Sequence, residues 1–245
     1  MIGFRVDVNE HIASGHFMRC VSIAVECIRC GEKVIFFTSD EMDGIMKDKL
    51  AGFNIPCIIL KSNWKTLNDN ILKLSELIKK YGVKWLIVDS YYATADYLKK
   101  LEEFVRVLYI DDLAKETYEV SAILRYIQWN NAEYKEKYKK TKTILLLGPS
   151  YTPLREEFSH INMTDDNITR EKSILITTEG TDTYNIIEKS LKEFNHSTDF
   201  SDYDKHVIIG SMNKYEKEWF FWGNGGLKAS TTPVFIPIRR HSTFG

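Results

Sequence analysis

The sequence predicts an α/β protein: a parallel sheet with helices on both faces, in two lobes, the first complete and the second incomplete. Three observations carry this. Short apolar runs alternate with longer segments whose apolar residues recur at helical spacing, the signature of strand–helix–strand units. Several runs, Trp85-Leu86-Ile87-Val88 and Ile144-Leu145-Leu146-Leu147 among them, are continuously apolar, as strands buried on both faces are. Carboxylates stand at the ends of the runs, at Asp89 and at Asp111-Asp112, the sheet edge that borders the ligand crevice in such folds.

Taken in order, Ile2–Val6 is a strand. His16–Arg29 is an amphipathic helix with Phe17, Val21, Ala24 and Ile28 on one face, and Gly31 sits where a glycine closes a helix. Lys33–Thr38 is strand, Asp43–Ala51 a short helix and Cys57–Leu60 a short strand. Thr66–Tyr81 sets Leu67, Ile71, Leu74 and Ile78 at helical spacing, and Gly82 ends it. Trp85–Val88 is strand, Ala93–Phe104 helix, and Val105–Ile110 strand. Ala122–Leu124 and Thr143–Leu147 complete the first lobe, over residues 1–158. A polar stretch over 159–172 reads as a linker. The alternation restarts with strand Ser173–Thr177, helix Thr183–Phe194 and strand His206–Ile209, a partial lobe over 173–218. From about Trp219 the chain shows neither period, so 219–245 reads as an atypical tail. With half a lobe, the second sheet is expected to expose an edge and to favour association or poor solubility.

Length and composition bound the function. At 245 residues the chain can bury a sizeable core. The formal net charge is −1, so no global basic field exists to hold nucleic acid or an anionic membrane. No apolar run approaches the roughly 20 residues of a membrane span, and no secretory signal is visible, which together point to the cytoplasm. Of the four cysteines, Cys20, Cys27, Cys30 and Cys57, Cys27 and Cys30 have the spacing of redox and zinc sites. No second such pair and no matching histidine pair completes a zinc site. The helical recurrence of Cys20 and Cys27 with Val21, Ala24 and Ile28 assigns thiols to core packing instead. Neither a metal nor a cofactor is implied.

The chemistry concentrates at the first strand-to-helix turn, where Ser14-Gly15-His16 opens a helix. A helix N-terminus offers free amides to anions and disfavours an imidazolium, which suits His16 to proton abstraction near neutral pH. The plainer alternative is a histidine that caps a backbone group or faces solvent. His11, earlier in the loop, is a weaker candidate. Asp89 and Tyr91 end one strand and Asp111-Asp112 the next. These carboxylates suit a ligand crevice or, equally, turns and helix caps. Gly148-Pro149-Ser150-Tyr151 with Arg155, and Glu179-Gly180-Thr181-Asp182, are further strand-end loops, the second a weak phosphate cradle. No P-loop, dinucleotide or nucleophile-elbow motif is present.

Taken together, Arg5-x-Asp7-x-Asn9-x-x-Ile12-x-x-Gly15-His16-x-x-Arg19-Cys20 resembles the N-terminal signature of the nucleotide-sugar hydrolases of pseudaminic acid biosynthesis. These act on UDP-2,4-diacetamido-2,4,6-trideoxy-β-L-altropyranose; relatives serve spore-coat polysaccharide synthesis. Val88-Asp89-Ser90-Tyr91, Ile110-Asp111-Asp112, Tyr151-x-x-Leu154-Arg155-x-Glu157-Phe158 and Thr177-x-x-Gly180-x-Asp182 follow in the family's order, and the likeness spans about residues 1–215. It implies two Rossmann-like lobes of the glycosyltransferase-B type, as in the enzyme that forms lipid II.

The resemblance implies that His16 is the base that activates water, which attacks the anomeric carbon as UDP leaves, without metal or cofactor. It assigns substrate binding to Asp7, Asn9, Gly15, Arg19, Asp89, Tyr91, Tyr151, Arg155, Gly180 and Thr181, with Tyr91 near the sugar and Asp7, Asn9 and Arg19 shaping the loop. The partner is a UDP-sugar, with no nucleic acid and no membrane, and the fold implies a monomer. Two rivals remain: a glycosyltransferase of the same fold, or a degenerate binding protein. The departures are Ala13 for a usual glycine, Glu179 for the first of a glycine pair, and a C-terminus without the family's Ser-Ala-Gly-Gly-type loop and downstream glutamate. That ending reads as a frameshift or premature stop.

Overall fold

The computed structural model describes residues 1–9, 12, 14–42, 44–127, 130–155, 158, 172–178, 182, 184–200, 202–209 and 234–238. The chain divides into two compact units, Met1–Ile161 and Asn162–Gly245.

The first unit carries a seven-stranded sheet with order β3-β2-β1-β4-β5-β6-β7. Its strands are β1 (Ile2–Val6), β2 (Val34–Thr38), β3 (Cys57–Ile59), β4 (Trp85–Asp89), β5 (Arg106–Ile110), β6 (Ala122–Arg125) and β7 (Ile144–Leu147). Every pairing is parallel. The helices are α1 (Gly15–Arg29), α2 (Gly44–Gly52), α3 (Ile71–Tyr81), α4 (Ala95–Glu102) and α5 (Asn131–Tyr138). This is the α/β fold that the alternation predicts.

Two apolar clusters cover the two faces. Phe17, Cys20, Val21 and Ala24 of α1 and Met46 and Leu50 of α2 pack with Phe4, Val6 and Phe36 on one face. Leu74, Ile78, Tyr97, Leu98, Leu101, Tyr134 and Tyr138, from α3, α4 and α5, pack with Ile35, Leu86 and Val107 on the other. Right-handed crossovers require this split: the chain runs from β1 outward to β3, then returns past β1 to continue from β4. β1 and β4 are therefore neighbours whose following helices leave to opposite faces, a topological switch point where a crevice opens at the strands' carboxyl ends. Gly3 makes the close packing there possible, because a Cβ on it would stand 3.0 Å from Leu86 Cδ1 and from Val83 Cγ1.

Several boundaries differ from expectation, for local reasons. The expected helix over 66–81 opens as a 3-10 turn, Leu67–Asn70, before α3 begins. Gly82, at φ +63°, closes α3 in the left-handed conformation that only glycine adopts cheaply. Ile28, expected on the core face of α1, is 38 % exposed because the last turn runs past the sheet. Helix α5 was not expected at all. Its sequence, Asn-Ala-Glu-Tyr-Lys-Glu-Lys-Tyr, shows no apolar stripe, and only Tyr134 and Tyr138, one turn apart, bury themselves.

The second unit, among its described residues, holds β8 (Ser173–Thr177), α6 (Ile186–His196), β9 (Asp204–Ile209) and β10 (Val234–Ile238). β9 pairs parallel with β8 and antiparallel with β10. Its buried cluster is Ile176, Ile187, Leu191 and Val207. The tail, read from sequence as carrying neither period, contributes β10. That strand contains Pro237, and its one described pairing is with β9, the kind of position that tolerates a residue without an N–H. The rest of the tail, and the linker apart from Lys172, lie outside the described residues. No described helix is long and apolar enough to cross a membrane.

Candidate active site

The first loop is built around buried charge. Arg5, fully buried on β1, reaches Asp7 Oδ1 with Nη1 at 2.8 Å and donates from Nη2 to Ser39 Oγ at 2.6 Å. The Ser39 N–H donates to the same Asp7 oxygen at 2.6 Å. Asn9 then folds the loop, accepting the Ile12 N–H at 3.0 Å and donating to Asp40 at 3.2 Å. Burial pushes the Asp40 carboxyl upward despite Asn9. Asp7 and Asn9, assigned to substrate, are thus committed to the loop: Asp7 is 2 % exposed.

This frame delivers α1 to the switch point. Ser14 makes no side-chain cap and the first turn has no acidic residue, so among the described residues no side chain caps the leading amides of α1. Gly15 is exposed, and a Cβ on it would meet nothing within 4 Å.

One turn into α1, His16 and Arg19 converge on Asp89 at the end of β4. His16 Nδ1 lies 2.6 Å from Asp89 Oδ1. Arg19 forks onto the same carboxylate, Nε to Oδ2 at 2.5 Å and Nη2 to Oδ1 at 2.6 Å. Cys20 Sγ adds a contact to Oδ2 at 3.6 Å. Arg19 Nη2 is also 2.9 Å from His16 Nδ1. Arginine cannot accept, and one of the two Nη2 protons is directed at Asp89; a bare ring nitrogen 2.6 Å from a carboxylate oxygen would be repulsive. Nδ1 therefore carries the proton and donates it to Asp89, leaving the lone pair on Nε2. Burial drives the Asp89 carboxyl upward, but hydrogen bonds from Arg19 and His16 outweigh it and hold the group below its ordinary range. Burial likewise opposes the Arg19 charge, and Asp89 more than restores it.

The assembly continues into the next two strand ends. Arg19 Nη1 bonds Asp112 Oδ2 at 2.8 Å and Tyr126 Oη at 2.6 Å. Tyr91 donates from its hydroxyl to Asp112 Oδ2 at 3.2 Å, and its ring meets the His16 ring edge-to-face, centroids 4.4 Å apart. Burial and Asp112 push the Tyr91 hydroxyl upward. The paired aspartates separate here: Asp111, fully buried, accepts the Leu113 and Ala114 N–H groups and the Tyr134 hydroxyl, whereas Asp112 faces Arg19 and Tyr91.

The structure brings His16, Arg19, Asp89 and Tyr91 together, with Asp89, 1 % exposed, held by His16 and Arg19. The sequence marks Asp112 only together with Asp111, and does not mark Tyr126. Asp112 had a signal, its place at a strand end; Tyr126 is one residue past β6 and carried none. Tyr151 and Arg155 follow β7, three strands from β4, about 14 Å at the usual strand spacing. They make local contacts, the Tyr151 N–H to Gly148 and the Arg155 guanidinium over Phe158. Gly180 and Thr181, like Glu179, His11 and Ala13, lie outside the described residues; Asp182 caps α6 through the Ile186 and Ile187 N–H groups. Among the described residues no group of three or more His, Cys, Asp or Glu side chains could hold a metal. All four cysteines are unbridged, and Cys20 is buried. An open groove of about 780 Å³, lined by Trp85, Glu102, Arg106 and Ile144 among others, lies at the strands' amino ends, opposite the edge where such sheets bind ligands.

No family model and no curated protein matches the chain. Among solved structures it is similar to MurG of Acinetobacter baumannii, at 9 % identity and a TM-score of 0.45, over 72 % of this chain and 49 % of that one. It is also similar to a glycosyltransferase from Rickettsia africae, at 14 % identity and a TM-score of 0.48, over 80 % of this chain and 57 % of that one. The chain therefore spans about half the length of either.

Proposed function

We propose that this chain is a nucleotide-sugar hydrolase of the pseudaminic-acid type, with His16 as general base. The observation that supports this most directly is the Nδ1–Asp89 contact, which leaves Nε2 as the basic nitrogen beside a switch-point crevice. In this reading Nε2 takes a proton from water, the water oxygen bonds to the anomeric carbon, and the carbon–oxygen bond to the diphosphate breaks, UDP leaving with the electron pair. The imidazolium so formed is stabilised through Nδ1–H by Asp89, the division of labour of an acid–histidine pair. A sugar diphosphate is already an activated leaving group, so positioning and one base suffice and no cofactor enters. The exposed Gly15 and the leading amides of α1 suit the approach of an anionic ligand. The two-lobed glycosyltransferase-B arrangement belongs to the same reading.

The test is UDP release from UDP-sugars, including the diacetamido-trideoxy sugar, coupled to a UDP-specific phosphatase. His16→Ala is expected to lose about 10²–10⁴-fold in kcat while remaining folded. Equal rates in the two proteins would overturn the base assignment. UDP release that demands a sugar or lipid acceptor would replace hydrolysis with transfer, the same base then deprotonating the acceptor hydroxyl. No UDP binding by calorimetry at millimolar concentration would favour the non-catalytic reading.

A further inference from the structure

We infer that Asp112 is a positioning residue for His16, one carboxylate that fixes the imidazole by two separate routes. The inference rests on the reading of His16 as the base. By the first route Asp112 holds Arg19 Nη1 at 2.8 Å, and the other side of that guanidinium locks Asp89 against His16 Nδ1. By the second it accepts the Tyr91 hydroxyl at 3.2 Å, and the Tyr91 ring rests on the imidazole. The contacts close into a ring: His16, Asp89, Arg19, Asp112, Tyr91 and back to His16.

The geometry gives each member one task. Arg19 is a planar fork with a fixed set of donors; two face Asp89 and one faces Asp112, so a turn of the guanidinium breaks both ends at once. Tyr126 braces the same nitrogen at 2.6 Å. Tyr91 is half exposed, and a half-exposed ring keeps one orientation only if its hydroxyl is tied down. Asp112 supplies that tie and is itself mostly buried, so it is placed by the fold rather than by solvent. Among the described residues, the groups that meet His16 are Arg19 of α1, Asp89 of β4 and Tyr91 of the following loop, with Asp112 and Tyr126 reaching it through Arg19. Without Asp112 the imidazole keeps Asp89, but Asp89 and Arg19 lose the brace that holds them against Nδ1, and Tyr91 no longer fixes the tilt of the ring.

The experiment reads the imidazole directly. Histidine-labelled protein is examined by ¹H–¹⁵N correlation, with the His16 signal assigned through His16→Gln. The wild type is expected to show the Nδ1–H tautomer at high pH. Asp112→Ala is expected to shift the His16 ring signals and mix its tautomers. Asp112→Asn, which still accepts one hydrogen bond, should fall between, and the exposed control Asp96→Asn should match wild type. Tyr91→Phe removes the second route without touching a buried charge, and should move the ring protons while leaving the tautomer unchanged. In turnover, Asp112→Ala should lower kcat about 10- to 100-fold, the size expected of a misplaced catalytic group, with KM within about twofold. His16 signals unchanged in both Asp112 variants would overturn the inference. A wild-type protein that releases no UDP would overturn the hydrolase reading instead, and the two failures are distinct because the ring signals need no substrate.

Discussion

Asp89 meets His16, Arg19 and Cys20 at once, so its removal leaves the mostly buried Arg19 guanidinium with Asp112 and Tyr126 as its remaining partners. Breaking a buried ion pair costs about 3–5 kcal/mol, and Asp89→Ala is expected to destabilise the protein by that amount in urea unfolding, whereas His16→Ala, 13 % exposed at its side chain, should cost far less. The pH dependence follows from the direction of the Asp89 shift. Its folded pKa lies below the unfolded value, so its stabilisation is complete above the ordinary carboxylate range and is lost as pH falls through the folded pKa. Unfolding midpoints should decline from about pH 5 downward, and Asp89→Asn should flatten that decline. A wild-type and an Asn variant with parallel acid limbs would show that other carboxylates dominate. The Gly15-His16 turn was legible in the sequence as a helix start beside a strand. That Arg19, three residues on, would share a carboxylate with His16 was foreshadowed only by helical spacing.

At the scale of elements, the alternation of apolar runs and amphipathic segments located β1 to β9 and four of the five helices of the first unit. Helix α5 escaped because its apolar content is two tyrosines, and its place is decided by what they meet: Tyr134 donates to Asp111 at 2.7 Å, and Tyr138 accepts the Tyr118 N–H at 2.9 Å. Punctuating glycines were more informative. Gly148 stands at φ +98° with ψ 174°, a region essentially closed to side-chain-bearing residues. Gly148→Ala is expected to cost about 1–3 kcal/mol and to disturb the turn that leads to Tyr151. Gly3 is limited by space rather than conformation, and Gly3→Val is expected to destabilise by about 1–3 kcal/mol through overpacking against Leu86 and Val83. Thermal unfolding of the two variants measures both costs.

Across the whole molecule, the two units differ in what they bury. The first sandwiches a seven-stranded sheet between two extensive apolar clusters. The second, among its described residues, buries four apolar side chains. Local opening is governed by such burial, so amide exchange should be slowest in β1, β4 and β5, each flanked by strands on both sides, and markedly faster in β8, β9 and α6. Hydrogen-exchange mass spectrometry peptide by peptide checks this, and equal protection of β1 and β8 would contradict it. Leu175 on β8 is 56 % exposed.

By itself the sequence determined the class of fold, the order of its strands and helices apart from α5 and β10, and the turn that carries His16, because periodicity and turn chemistry are local properties of the chain. It also marked strand-end carboxylates as candidates, without distinguishing Asp111 from Asp112 or a ligand contact from a support. Those assignments were decided only by the tertiary structure. Residues 70 and more positions apart meet at Asp89 because parallel pairing of β1 with β4 sets the ends of both strands side by side. No local pattern encodes that register, and it is the register that sets a histidine at a helix start against a buried carboxylate.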